Sequence, residues 1–116
     1  MNAELGSEEF HFYPGVSYRH CLVWRDGRLG MRLTPPHDIT GRTVVEFLPH
    51  GEGAEVLRGL MEASQPILQD HPVNGARRQR GEPAISSIWL WGAGKRPQLP
   101  SFREKFGLTG AVISAV

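Results

Sequence analysis

This sequence has little of what usually discloses a reaction by inspection. It has one cysteine, Cys21, so it can form neither an internal disulfide nor a cysteine-pair metal site. No apolar run approaches the ~20 residues that span a bilayer. The first ten residues, MNAELGSEEF, are acidic and polar and do not read as a signal peptide. Excess charge is missing too: 13 Lys and Arg against 12 Asp and Glu leave +1, so no global field draws the chain to nucleic acid or membrane. There is no GxSxG, no glycine-rich phosphate loop and no pair of carboxylates at a catalytic spacing. The five histidines, at 11, 20, 37, 50 and 71, include no HxxxH, which argues against a metal site within these residues. Cys21 alternates with strand neighbours and reads as a small buried hydrophobe rather than a nucleophile; a reducing cytoplasm suits it.

What is present is a globular composition, 40% hydrophobic and 22% charged, in 116 residues: one domain at most, with one modest core. Fourteen glycines and nine prolines favour turns and short elements over a helical bundle. Residues 1–9 read as a leader or linker, and 10–116 as the folded unit. Phe10 and Phe12, then Tyr18, His20, Leu22 and Trp24 against Arg19, Cys21, Val23 and Arg25, have the period of two expected of strands. Asp26-Gly27 precedes a second alternation, Leu29, Met31 and Leu33, which predicts a tight hairpin. Thr34-Pro35-Pro36 ends that strand. Residues 37 to 50 read as a long irregular surface loop.

From about Ala54 to Asp70 the period turns helical: Val56, Leu57, Leu60, Met61, Ser64, Ile67 and Leu68 share one stripe, with Pro66 as a kink or a division. His71-Pro72 ends this helix, and a second short helix runs to Gly81. Ile85 to Trp91 alternates as a strand. Ser101 and Glu104 form a capping box that starts a helix at Phe102, closed by Gly107. Gly110 to Val116 reads as a terminal strand, parallel to Ile85–Trp91. A chain that stops at its most apolar point has the form of a piece cut from a larger protein. The order of elements predicts an α+β fold, a small mixed or antiparallel sheet with helices packed on one face.

Three groups of residues could carry chemistry. Arg77, Arg78 and Arg80 lie beside His71 and Asn74; on a helix Arg77 and Arg80 share a face and suit an anion, with the free amides of the first turn as further donors. The alternative is a solvated basic face. His37-Asp38, with Arg42, could orient a substrate hydroxyl, or could simply shape a turn. Trp89 and Trp91 near Lys95 and Arg96 could stack bases, though a strand tryptophan more often packs in a core or against another domain.

Five blocks in order, Tyr13-Pro14-Gly15-Val16-Ser17-Tyr18-Arg19-His20, Pro36-His37-Asp38-Ile39, His71-Pro72-Val73-Asn74 followed by Arg77, Ser87-Ile88-Trp89-Leu90-Trp91-Gly92, and Gly110 to Val116, resemble the archaeal-type 2,3-bisphosphoglycerate-independent phosphoglycerate mutases. The resemblance runs from Phe10 onward. It implies membership of the alkaline phosphatase superfamily, whose core carries two divalent metals (Mn or Mg type) and a Ser or Thr nucleophile. It places this chain in the inserted substrate-binding domain, cut at the strand returning to that core. No catalytic residue and no metal ligand is then expected here, and no 2,3-bisphosphoglycerate is required.

On this resemblance Arg19 and Arg77 are expected to contact an anionic phosphoglycerate-type substrate, His37 and Asp38 to orient its hydroxyl, and His71 and Asn74 to shape the pocket. The expected partner is the catalytic core domain; no membrane or nucleic acid is expected. Ile85-Ser86-Ser87 departs from the Ala-Asn expected before Ile-Trp-Leu-Trp. That departure leaves one alternative, the insert of a divergent phosphotransferase of the same superfamily; a second is a stand-alone module that binds protein or nucleic acid through its Trp89/Trp91 and Arg77/Arg80 surfaces.

Overall fold

Period-two alternation needs a partner strand to become a sheet, and the partners here are not those that the turn signal predicts. In the computed structural model, which describes residues 1–113, β1 (Phe10–Tyr13) pairs antiparallel with β2 (Cys21–Trp24), Phe10 opposite Trp24 and Tyr13 opposite Cys21. A second two-stranded antiparallel sheet joins β3 (Met31–Arg32) to β4 (His50–Gly51). The predicted hairpin through Asp26-Gly27 therefore does not form. The turn itself exists, with the Gly27 amide donating to the Trp24 carbonyl at 3.3 Å. A two-residue hairpin turn of type I′ needs positive φ at both central residues, and of the pair only Asp26 (φ 58°) has it.

The alternation does set the faces. Phe12, Leu22 and Trp24 turn inward, while His11, Tyr13, Cys21 and Val23 are exposed. Cys21 is thus a surface thiol, not the buried hydrophobe expected, because it falls on the outer phase of β2. The first residues also take part: α1 (Asn2–Leu5) brings Asn2 against β1. The Asn2 amide donates to the Phe12 carbonyl at 2.6 Å, and its oxygen accepts from the Phe12 amide at 2.7 Å. One side chain thereby supplies the pair of bonds that a third strand would.

The segment 37–50 is less irregular than expected. Pro36–Asp38 and Val45–Phe47 are 3₁₀ turns, and Ile39 and Pro49 are buried. The stripe at helical spacing becomes α2 (Ala54–Gln69), one helix that carries Pro66 without division and buries Ala54, Leu57, Met61 and Ser64. Then come α3 (Pro72–Gln79) and α4 (Phe102–Phe106), the latter with both bonds of the capping box and Gly107 at φ 67°.

Ile85–Trp91 joins no sheet, and Gly110–Ile113 is not a strand either; Ser114–Val116 lie outside the described residues. The fold is α+β, with two small antiparallel sheets and several helices among the described residues.

The core that α2 gathers is small: Ile39, Ala54, Leu57 and Met61, with Pro49. The chain exposes 9428 Å² for its 12.9 kDa, where a compact monomer of that mass exposes about 6,300 Å². Part of the surplus lies past Trp91, where Leu99, Phe102, Phe106, Leu108, Val112 and Ile113 are all more than half exposed.

Candidate functional site

The residues with chemistry are organised by one segment without secondary structure, Ile85–Trp91, tied to α2 and α3. Having no strand partner, it is held at Ile85 and Ile88 by side chains of the helices instead. Asn74, on the first turn of α3 and 2% exposed, accepts from the Ile85 amide at 2.8 Å and donates to the Ile85 carbonyl at 2.7 Å. Its second amide hydrogen goes to the Leu68 carbonyl at 2.6 Å. Ser64, fully buried on α2, accepts from the Ile88 amide at 3.1 Å and donates to the Met61 carbonyl at 2.6 Å. Ser87 reaches that same carbonyl at 3.0 Å. Further along, the Trp89 indole donates to the Thr34 carbonyl at 2.8 Å. Trp91 meets the His37 ring edge-on, with centroids 5.5 Å apart and planes at 83°.

At one end of this strap sit His71, Asn74 and Arg77. His71 caps α3: its Nδ1 accepts from the Val73 amide at 3.3 Å, which leaves the proton of the neutral ring on Nε2, a donor facing solvent. The predicted anion site on the free amides of this turn is not there. Pro72 has no N–H, Val73 is taken by the His71 ring, and Asn74 and Gly75 donate to the His71 carbonyl at 2.9 and 3.3 Å.

Arg77 donates through Nε to the Pro83 carbonyl at 2.8 Å and lies 3.2 Å from Glu82. Arg80 faces the same carboxylate with two bonds, at 2.8 and 3.1 Å. Glu82 is held below the usual carboxylate range, first by the bond from Arg80 and then by the charge of Arg77, and Arg80 is raised in turn. The shared face predicted for Arg77 and Arg80 forms, with Glu82 seated between them. Arg78 is directed elsewhere, toward the Gln69 carbonyl at 3.3 Å.

At the other end, His37 Nε2 lies 3.7 Å from Asp38 Oδ1, too long for a hydrogen bond, and both side chains are exposed. Arg42 turns away to Glu46 at 3.7 Å and lies over the Phe47 ring at 4.4 Å. Arg19 belongs to a third place, the exposed loop between β1 and β2, where its guanidinium lies 5.5 Å from the Tyr18 ring centroid. Gly15 and His20 brace that loop through a 3.1 Å bond from the Gly15 amide to His20 Nδ1.

The structure therefore places His71 at the cap of α3 with Asn74 and Arg77 on that helix, and leaves His37 and Asp38 adjacent but not hydrogen-bonded. Among the described residues no hydrogen bond or ion pair joins Arg19, Asp38 and Arg77 to one another. Sequence reasoning named Ser64 on the helical stripe and Ser87 in the Ser87–Gly92 block but missed that they bond, since a serine carries no sign of its partner. Among the described residues no three His, Cys, Asp or Glu side chains gather as a metal site. Trp89 is half-buried with its indole N–H bonded to Thr34, and Trp91, half exposed, meets His37 edge-on. No helix among the described residues is long and apolar enough to cross a membrane.

The family model described as 2,3-bisphosphoglycerate-independent phosphoglycerate mutase matches residues 1–74, from α1 to the start of α3. The chain belongs to the 2,3-bisphosphoglycerate-independent phosphoglycerate mutase family. A probable phosphoglycerate mutase of this kind from Geobacter sulfurreducens is 58% identical over 97% of this chain and 28% of its own length. Mutases from Methanosarcina barkeri and Methanopyrus kandleri are 48% and 31% identical over 100% and 91% of the chain, again 29% and 27% of their lengths. This member of the family thus spans less than a third of the curated mutases it matches. No solved structure matches it.

Proposed function

We propose that this chain is the substrate-binding insert of a metal-dependent, cofactor-independent phosphoglycerate mutase, which interconverts 2- and 3-phosphoglycerate in glycolysis and gluconeogenesis. The observation that carries the reading is the match of nearly the whole chain to 28% of a mutase relative's length. One other supports it: the apolar side chains past Trp91 are left bare, as on a face built to meet more polypeptide.

On this reading the nucleophile and two divalent metals, Mn or Mg, belong to a catalytic core outside these residues, and the isolated chain is inactive. Phosphoryl transfer depends on positioning and on neutralising charge. A lid carrying arginines supplies both, and its closure keeps water from the transferring group. Arg19 and Arg77 contact the anionic substrate, Arg77 by exchanging part of its hold on Glu82. His37 and Asp38 orient the hydroxyl, and His71 offers its Nε2 proton. Asn74 has spent all its donors inside the chain, so it shapes the site rather than touching substrate. The protein works in the cytoplasm, where an exposed Cys21 stays reduced.

The test joins the chain to the remaining polypeptide of a mutase relative. Arg77→Ala in that protein should lower kcat/KM at least about tenfold, ~1.4 kcal/mol of transition-state binding. A smaller loss removes Arg77 from the substrate contacts.

A further inference from the structure

The imidazole of His37 is exposed, and Asp38 is too far to hold it by a hydrogen bond. The Trp91 ring is what constrains it. Edge-to-face aromatic contacts have a preferred geometry, and 5.5 Å at 83° lies within it. Trp91 in turn has no backbone ladder to fix its place. Its register comes from the strap that carries it: Ile85 gripped at both polar atoms by Asn74, Ile88 gripped by Ser64, and Trp89 tied to Thr34, three residues before His37.

We infer that Trp91 is a positioning residue for His37, and that Asn74, Ser64 and Trp89 act on His37 through the strap. A one-residue slip would carry Trp89 away from Thr34 and Trp91 away from His37. The side-chain clamps at Ile85 and Ile88 prevent it. Two clusters that share no direct contact, His71/Asn74/Arg77 and His37/Asp38, are thereby held to one length of backbone. The catalytic consequence rests on the proposed role of His37; the orientation does not.

The experiment has two arms. In the 116-residue chain, the His37 ring protons are followed by NMR, assigned through their loss in His37→Gln. They should lie displaced by the Trp91 ring, lose that displacement in Trp91→Ala and keep most of it in Trp91→Phe. Trp91 is half exposed, so neither variant threatens the core. Unmoved His37 signals in Trp91→Ala overturn the inference.

The relay is read from Asn74→Ala and from Trp89→Phe, which keeps the ring but removes the bond to Thr34. Both should shift His37 toward its position in Trp91→Ala. If Asn74→Ala does not fold, Trp89→Phe decides, and an unmoved His37 there overturns the relay. In the second arm the chain is joined to the remaining polypeptide of a mutase relative. Trp91→Ala should lower kcat/KM about tenfold, with Trp91→Phe retaining most of it. Displaced NMR signals with unchanged turnover refute the substrate role of His37 and leave its orientation by Trp91 standing.

Discussion

Replacing Asn74 by alanine should undo the strap from the helices, and the structure sets the size of the effect. The side chain is 2% exposed and makes three bonds, to the Leu68 carbonyl, the Ile85 carbonyl and the Ile85 amide, at 2.6, 2.7 and 2.8 Å. A buried hydrogen bond contributes a net ~0.5–1.5 kcal/mol, so three set a range of about 1.5–4.5 kcal/mol. Ile85 is itself 48% exposed, so water can recover part of two of these bonds. The expected loss is therefore about 2–3 kcal/mol, a large fraction for a small domain with so little core. In urea, with a slope of roughly 1–3 kcal/mol/M, the midpoint should fall by about 1–2 M. Tryptophan emission reports the transition, and Trp89 and Trp91 should redden at once in the variant as the strap lifts. A midpoint shift below about 0.5 M with unchanged emission would mean that Asn74 does not hold the strap, and the reasoning would fail.

Leu57→Ala empties the centre of the core, where Leu57 is 5% exposed, and should cost about 2–4 kcal/mol, read from thermal unfolding. Gly15→Ala would drive a methyl group into the Arg19 carbonyl, so the loop carrying Arg19 should rearrange at a cost of about 1–3 kcal/mol, visible as loss of the Gly15 amide signal position. Acid should fray α4 selectively. Bonds from the Ser101 backbone and hydroxyl hold Glu104 below its ordinary value near 4.5, so the stabilisation is complete above that pH and is lost as pH falls through the lowered folded value. Glu82 behaves alike through Arg80. Amide exchange at Lys105 and Gly107 should therefore be level from pH 8 to 5, once corrected for intrinsic rates, and lose protection below about pH 4; unchanged protection there refutes the cap's role.

The elements that could be read from sequence were those with local causes. The stripe from Val56 to Leu68 is a property of one helix, and the Ser101/Glu104 box and Gly107 are properties of one terminus. Alternation gave the faces of β1 and β2 but not their pairing, because the Asp26-Gly27 turn is a signal about two residues and a sheet is a contest among strands. Ile85–Trp91 carries a strand's alternation yet lies in no sheet, since two side chains on α2 and α3 took the place of a neighbour. Asn2 does the same for Phe12. No periodicity marks an asparagine that will act as a strand. Of the candidate site, the grouping on α3 was legible from spacing alone. The consumption of its amides by His71 was not, because it depends on where a carbonyl and a ring nitrogen point.

The central claim is that these residues hold a phosphoglycerate while the reacting groups belong to other polypeptide. Its most direct test is conversion of 3-phosphoglycerate with manganese present, followed by phosphorus NMR, for the 116-residue chain alone and for the chain joined to the remaining polypeptide of a mutase relative. The account predicts no turnover from the first and restored turnover from the second. Comparable turnover from both, or none from either when the joined protein is folded, would contradict it.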